Sequence, residues 1–364
     1  MHIAIAIPSF NRAEYLKKNI AAIMKLNLTS NIKLSICVAN SASTDDTRSY
    51  LDELAKKNQN VFIFNEQLND ENRNMGCLSS IIPDDVDWVW FLGDDDIIVD
   101  PDAILKINNL VSQDNFSFVH VTQYRRSKNT KKIVSGNLEE LCNEFGYTDI
   151  LGWISSLVVK RCFFVQALKE AQKKITSEWN RVSAFNQSFF LYKQLFNKKC
   201  AFFDAGLVDP QDLKQTKESI KRWAHENMPA RYLLVIDDLL ELNKMSMLPP
   251  KINTIFFRYL NINLWDRWLI YLLNETIRND IDMEIKLSKK NLAEFNYNWE
   301  KLMNFCELLV DVNVKKYVLN TIKTSMGLCI KYLFDPSHQD AYRTFIVDHI
   351  NLLNRSAYDF KSHL

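Results

Sequence analysis

The chain has 364 residues, 47% of them hydrophobic and 24% charged, a length and composition that suit two soluble domains or one large one with an appendage. Its formal net charge of +1 supplies no global field for nucleic acid, so nucleic acid is excluded from the expected partners. Seven scattered cysteines, never in C-x-x-C spacing, argue against a zinc site or a disulfide framework and suit a reducing cytoplasm.

The first segment, Met1-His2-Ile3-Ala4-Ile5-Ala6-Ile7-Pro8, has no basic leader and is too short for a signal peptide. Ile3 to Ile7 reads as a strand closed by Pro8. Asn11-Arg12-Ala13-Glu14 resembles a helix N-cap with an acid three residues on, and Leu16, Ile20, Ile23 and Met24 follow at helical spacing. Leu34 to Val38 is a second strand. Ser43, followed by Asp46, is placed to cap a helix carrying Leu51 and Leu54. Val61 to Phe64 is a third strand and Trp88 to Leu92 a fourth. Asp100-Pro101 then reads as N-cap and first helical position of a helix whose inner stripe is Ile104, Ile107 and Val111. His120, behind Phe118-Val119, reads as a structural histidine on a strand. Arg125-Arg126-Ser127-Lys128 with Lys131-Lys132 reads as a solvated basic loop. From about Leu213 strand signals fade. Segments such as Tyr232 to Leu240 and Leu260 to Leu272 carry helical spacing, so residues 213–364 are expected to form a helical domain behind an α/β domain of residues 1–212. The most apolar stretch, Ile255 to Leu273, is broken by Arg258, Asp266 and Arg267 and does not read as a membrane span.

Strands that alternate with helices imply a mostly parallel sheet with helices on both faces, whose ligand crevice lies beyond the carboxyl ends of the strands. Three polar segments follow strand ends: Pro8 to Arg12, Ala39 to Ser43, and Gly93 to Asp96. They are expected to converge on one rim. Asp94-Asp95-Asp96 is the most telling of them. A solvated acidic turn is the plain alternative, but three carboxylates closing a buried strand call for positive charge, and a divalent cation bound to phosphate supplies it. With seven glycines and no G-x-G spacing, neither a dinucleotide fingerprint nor a phosphate-binding glycine loop is indicated.

Five motifs taken in order resemble family 2-type glycosyltransferases of the GT-A fold, closest to the abequosyltransferase-like group that builds bacterial surface polysaccharides. They are Ile5 to Arg12 (the "IPTYNR" opening), Val38 to Thr47 ("VxDNASTDGT"), Asn74-Met75-Gly76 (an "NxG" turn before the fourth strand), Trp90 to Ala103 ("WFLGDDDxxxPDA") and Ile154 to Arg161 ("ISSLIFRR"). The resemblance covers residues 2 to about 205. It implies an inverting transferase that takes a sugar from a nucleotide-sugar donor to a glycan or lipid-linked oligosaccharide, as in capsule or lipopolysaccharide synthesis. Asp94, Asp95 and Asp96 would form the DxD-type motif, two of them serving ribose and Mn²⁺ or Mg²⁺. Pro8, Ser9, Phe10, Asn11 and Arg12 would line the donor site, with Asn74 and Gly76 beside it, and Asn40, Ser41 and Asp45 near base and ribose.

The chain also departs from the pattern. Asn40 stands where Asp is usual, Ser79 where Asn is common, and Phe185-Asn186-Gln187 where Phe-Pro-His is frequent. Inversion needs one general base. Glu178, beside Trp179, is the first candidate and Asp149 the second, with a plain surface carboxylate as the alternative for each. Trp153 and Trp179 are candidates for stacking on acceptor sugars, or for core packing. Three roles fit the tail: acceptor binding, homodimer formation, or peripheral contact with the inner face of the cytoplasmic membrane through Phe256, Phe257, Tyr259, Leu260, Trp265 and Trp268. Two other readings compete with a cytoplasmic transferase: an inactive scaffold of the same fold that serves in binding or assembly, and a sugar-1-phosphate nucleotidyltransferase.

Overall fold

In the computed structural model the first apolar run extends further than its sequence suggests. β1 covers His2–Ser9 and pairs with its second-strand neighbour as far as Ser9↔Asn40. Pro8 does not close it, because the strand on its other side has already left: the last pair there is Ala6↔Phe91. The N–H that proline lacks would have faced that gap. The structure describes residues 1–66, 71–175 and 186–211, together with 235, 238–249, 252, 255 and 256.

After β1 come α1 (Ala13–Ile23), β2 (Lys33–Ser41), α2 (Thr47–Lys57), β3 (Val61–Glu66), α3 (Glu71–Ile81), β4 (Trp88–Phe91), β5 (Asp96–Ile98) and α4 (Ala103–Gln113). The chain continues through β6 (Phe118–Gln123), β7 (Ile133–Asn137), α5 (Leu138–Phe145), α6 (Tyr147–Leu151), a 3-10 turn (Ile154–Ser156) and β8 (Leu157–Lys160). It then runs through α7 (Arg161–Ile175), α8 (Asn186–Leu195) and β9 (Lys199–Pro210). The nine strands among the described residues join one sheet, in the order β3-β2-β1-β4-β8-β6-β9-β5, with β7 also on β9. β3, β2, β1 and β4 run parallel, as the strand–helix alternation predicts. Beyond β4 the sheet is mixed: β8, β5 and β7 enter antiparallel, and β6 and β9 run parallel to each other.

Alternation along β1 assigns its two faces. Ile3, Ile5 and Ile7 join the core cluster with Leu16, Ile20 and Ile23 of α1, Leu51 of α2, and Ile104 and Ile107 of α4. The opposite face carries small residues, Ala4 and Ala6, which lets α3 come close; there Cys37 Sγ donates to Ile81 O at 3.7 Å. Phe91 points to that side as well and meets Phe164 of α7 edge-on, with ring centroids 5.3 Å apart.

Local signals were less exact than the strand pattern. Asn74-Met75-Gly76 lies inside α3 rather than in a turn. A Cβ on Gly76 would sit 3.0 Å from Cβ of Gln172, so the glycine serves the close approach of α3 to α7. The α4 helix starts at Ala103 with Asp102 as cap, two residues later than Asp100-Pro101 suggests; Asp100 instead accepts from the N–H of Asp102 at 2.8 Å. His120 is buried as expected. Its Nδ1 lies 2.9 Å from Ile150 O, its ring stacks on Phe202, and burial lowers its pKa to about 4, so it stays neutral.

The chain divides into two units, Met1–Gln215 and Thr216–Leu364. In the second, residues 238–244 are helical, and Leu239, Leu242 and Phe256 are buried. The rest of the expected helical domain, including Tyr259, Trp265 and Trp268, lies outside the described residues. No helix among the described residues is long and apolar enough to cross a membrane.

Phe164 is fully buried against Phe91. Phe164→Ala is expected to lower unfolding free energy by about 3–5 kcal/mol, measured by denaturant titration, through lost transfer energy and the cavity left behind.

Candidate active site

The strand order reverses between β1 and β4, and in a parallel sheet the crevice opens where two neighbouring strands send their chains to opposite sides. Ser9 closes β1 and Gly93 to Asp96 follow β4, so the two polar ends meet at that point. Ser9 Oγ donates to Asp94 Oδ2 at 2.8 Å. Arg12 Nη1 reaches Asp94 Oδ1 at 2.9 Å and Asp95 Oδ2 at 2.6 Å, and so bridges the two carboxylates. Asp96 has different donors. Its Oδ2 accepts from the Ser155 hydroxyl in a short hydrogen bond and from Trp153 Nε1 at 3.1 Å.

Main-chain groups around the triplet are equally engaged. Asn19 of α1 donates to both Gly93 O (2.9 Å) and Asp96 O (2.7 Å). Gln211, just past β9, places its Nε2 within 3.3 Å of Asp94 O and Asp96 O, and its N–H donates to Asp95 O at 2.8 Å. Gly93 N donates to Ser155 Oγ at 2.8 Å. Glycine is required at 93, since a Cβ there would stand 2.7 Å from Asp96 Oδ2 and 3.3 Å from Ser155 Oγ.

Burial raises both inner carboxyls. Asp94 and Asp96 are each 5% exposed. Burial pushes Asp94 up to about 6, with Arg12 opposing and Asp95 reinforcing. Burial and then the neighbouring Asp95 push Asp96 up to about 7, with Ser155 opposing. Burial would lower the pKa of Arg12, but Asp94 and Asp95 outweigh it and hold the guanidinium charged. Asp95 is the accessible member of the triplet, at 42% side-chain exposure.

A second loop closes the rim. Asp45 Oδ2 accepts from Ala13 N at 3.0 Å and its Oδ1 from Thr47 N at 3.0 Å, so one carboxylate serves the first turns of both α1 and α2. Those hydrogen bonds overcome the effect of burial and hold Asp45 below the usual carboxylate range. This is why neither Asn11 nor Ser43 caps its own helix; the cap positions are Arg12 and Asp46, without side-chain bonds. Asn11 adopts φ 50 instead. Its N–H donates to Ser43 Oγ at 2.9 Å and its Oδ1 accepts from Thr44 N at 2.7 Å. Asn40 ties this loop to the sheet. Asp52 only accepts, so Asn65 turns its Nδ2 to Asp52 (3.4 Å) and its Oδ1 to Asn40 Nδ2 (3.0 Å). Asn40 Oδ1 is thereby left for Ser43 Oγ at 2.5 Å. An aspartate at 40 lacks the donor this relay uses.

The residues singled out from sequence thus separate. Pro8, Ser9, Phe10, Asn11 and Arg12, Asn40 and Ser41, Asp45, the triplet and Trp153 occupy one rim of the sheet. Gly76 belongs to a helix contact, and the side chain of Asn74 lies outside the described residues, as do Glu178 and Trp179. Asp149 lies exposed in the first turn of α6. Gln187, at the position of the missing histidine, donates to Gly152 O at 3.2 Å. Ser79 bonds within its helix, to Gly76 O at 2.7 Å. Sequence reasoning missed Asn19, Ser155 and Gln211 as parts of the site. The one available signal was an asparagine inside the apolar stripe of α1.

Among the described residues no group of three or more His, Cys, Asp or Glu forms a metal cage. The donor set still fits a hard cation of the Mg²⁺ or Mn²⁺ kind, which takes one or two carboxylates and completes its shell with water and substrate phosphate. Two adjacent carboxyls, one accessible and one buried, are of that type.

Residues 4–175 match the family described as Glycosyl transferase family 2. Among solved structures, S. aureus TarS 1-349 resembles the chain with a TM-score of 0.52 at 12% identity, covering 89% of this chain and 89% of that one. The same protein in complex with UDP gives a TM-score of 0.51 at 12% identity, again with 89% of each chain covered. In the longer TarS structure, with TM-score 0.51 and 12% identity, 89% of this chain spans 54% of that one. No curated protein matches the chain in sequence.

A raised carboxyl pKa means that stability present at low pH is lost as pH rises through the folded value. For Asp96 the window runs from the unfolded value near 4 to about 7. With chelator present, the stability of Asp96→Asn relative to wild type is expected to increase across that window by a few kcal/mol, read from denaturant midpoints at pH 4, 5.5 and 7.5. A difference that stays flat with pH contradicts the electrostatic account.

Proposed function

We propose that this chain, residues 4–175 of which match glycosyl transferase family 2, is an inverting, metal-dependent glycosyltransferase of bacterial surface-polysaccharide synthesis. Its donor is a nucleoside-diphosphate sugar, and its acceptor a glycan or lipid-linked oligosaccharide of the capsule or lipopolysaccharide type. The observation that carries this reading is the carboxylate triplet at the strand-order reversal, where Ser9 and Arg12 grip Asp94 while Trp153 and Ser155 grip Asp96.

The donor lies across the carboxyl ends of β1 and β4, between the Pro8 to Arg12 loop and the Asn40 to Asp45 loop. Asp94, held by Ser9 and Arg12, serves as a fixed acceptor on the ribose side. Asp95 and Asp96 would hold Mn²⁺ or Mg²⁺. Once bound, such a cation neutralises the diphosphate and stabilises the charge that develops on the leaving group. Arg12 is already charged and stands beside that position, so its guanidinium donates to phosphate oxygens as the glycosidic bond breaks. Trp153 holds Asp96 with its indole N–H and offers its ring face to the acceptor. Glu178, or in its place Asp149, removes the proton from the acceptor hydroxyl as that oxygen attacks the sugar carbon from the face opposite the nucleotide. Trp179 flanks that acceptor. We place the enzyme in the cytoplasm, with the tail serving acceptor binding, dimerisation or contact with the inner face of the membrane.

Incubation with UDP-, GDP-, CDP- and dTDP-sugars is expected to release nucleoside diphosphate from one donor class, with chelator abolishing release and Mn²⁺ or Mg²⁺ restoring it. Asp95→Asn and Asp96→Asn are expected to lower kcat by about 10²–10³-fold, the scale of one lost electrostatic stabiliser. Glu178→Gln is expected to lower kcat of transfer by about 10²–10⁴-fold and leave donor KM unchanged. Turnover of no donor, or turnover indifferent to chelator and to Asp96→Asn, would sink the proposal.

A further inference from the structure

The segment from Arg125 to Lys132 carries five cationic side chains in eight residues (Arg125, Arg126, Lys128, Lys131 and Lys132) and no acid. All five are exposed. A solvated loop is the ordinary reading of such a stretch, but this one is built into the sheet. Asp204 of β9 accepts from Ser127 Oγ at 2.5 Å and Thr122 Oγ1 at 3.2 Å on one oxygen, and from Thr130 Oγ1 at 2.8 Å on the other. The main chain of Asp204 pairs with the same loop: Lys131 N donates to Asp204 O, and Asp204 N to Lys132 O, each at 3.0 Å. Asn129 and Lys131 adopt φ 48 and φ 53, a region asparagine enters readily and lysine rarely. Gly206, at φ 58, lets β9 pass close enough that a Cβ there would lie 3.1 Å from Ser127 Cβ.

The start of the loop also lies two strands from the segment that carries Asp96. Asp209, buried near the end of β9, is paired on one side with Ile97 of β5, the residue after Asp96. On the other side it accepts from Arg125, at 2.6 Å from Nε and 3.4 Å from the main-chain N–H. β9 alone separates β6 from β5, so the loop leaves the sheet two strand spacings, about 10 Å, from the Asp96 strand. Tyr124 opens the loop. Its N–H is fixed to Val208 O at 2.8 Å, and the residue is 59% exposed. An exposed aromatic residue beside exposed cations, one of them aimed by Asp209, suits a sugar ring that carries an anionic group.

We propose that the Tyr124 to Lys132 loop is the acceptor subsite of the transferase, and that the acceptor is an anionic glycan bearing phosphate groups near the receiving sugar. This rests on the transferase reading above. Tyr124 meets the sugar face, Arg125 is aimed by Asp209, and Arg126, Lys128 and Lys132 contact the anionic groups. A membrane surface also supplies phosphate, but the buried Asp209 that aims Arg125 and the single strand between loop and triplet favour a ligand that reaches the reacting centre.

The test uses the full chain, a phosphorylated oligosaccharide and the same oligosaccharide after phosphatase treatment, with binding followed by calorimetry. The phosphorylated form is expected to bind at least about tenfold more tightly at low salt, a preference that shrinks as ionic strength rises. The Arg126→Gln/Lys128→Gln/Lys132→Gln variant is expected to lose that preference, and Tyr124→Ala to weaken both forms, while binding of the nucleoside diphosphates stays within about twofold of wild type, which also reports an intact fold. Equal binding of the two oligosaccharides, or a preference that survives the triple substitution, overturns the proposal. So does capture by anionic phospholipid vesicles without preference for the phosphorylated sugar, which would make the loop a membrane contact. Absence of any nucleotide or nucleotide-sugar binding would instead overturn the transferase reading, and the two failures are thereby separate.

Discussion

Two carboxylates are buried where β1 and β4 part, and the catalytic unit is arranged around that constraint. An ionisable group out of water is costly unless donors surround it. Asp94 and Asp96 draw theirs from widely separated parts of the chain: Ser9 at the end of β1, Arg12 before α1, and Trp153 and Ser155 before β8. Asn19 and Gln211 hold the intervening carbonyls. Every one of these contacts crosses from one element to another. The site therefore exists only when the sheet has closed, and the sheet order puts those elements side by side.

The same constraint leaves the site short of positive charge. One guanidinium bridges two of three adjacent carboxylates, and burial together with Asp95 raises the pKa of the third to about 7. A further cation entering beside Asp95 and Asp96 would relieve repulsion that the protein already carries. Asp45 shows the complementary economy. By accepting from Ala13 and Thr47 together it fixes two helix N-termini, and the loops that precede them, in one frame. Side chains next to a diphosphate need that rigidity, because binding energy spent on ordering a loop is lost to catalysis.

Much of this was legible from the residues. The parallel half of the sheet follows from apolar runs separated by helical spacing, and the shared rim follows from topology. What was not legible was the identity of partners. Ser155 read as part of a strand motif, and nothing local reveals that its hydroxyl serves both Asp96 and the Gly93 N–H. Asn40 read as an aspartate lost; in the folded chain it is the one side chain there that both donates to Asn65 and accepts from Ser43. The starts of α1 and α2 were misplaced for one reason: Asn11 and Ser43 bond each other's loop, and Asp45 alone serves the first turns of both helices. Asn74 to Gly76 looked like a turn because glycine in sequence does not distinguish φ freedom from close helix packing.

Sequence alone determined the first four strands, the helices α1, α2 and α4, the parallel run of those strands and the place of the acidic triplet at a strand end, because these rest on periodicity and on short-range preferences. Tertiary structure decided which aspartates are buried and which one is exposed, which cation faces them, and how a basic loop some thirty residues downstream stands one strand away from the Asp96 strand. Such facts depend on pairing between segments distant in the chain, β5 with β9 and β9 with β6, whose register no local pattern encodes.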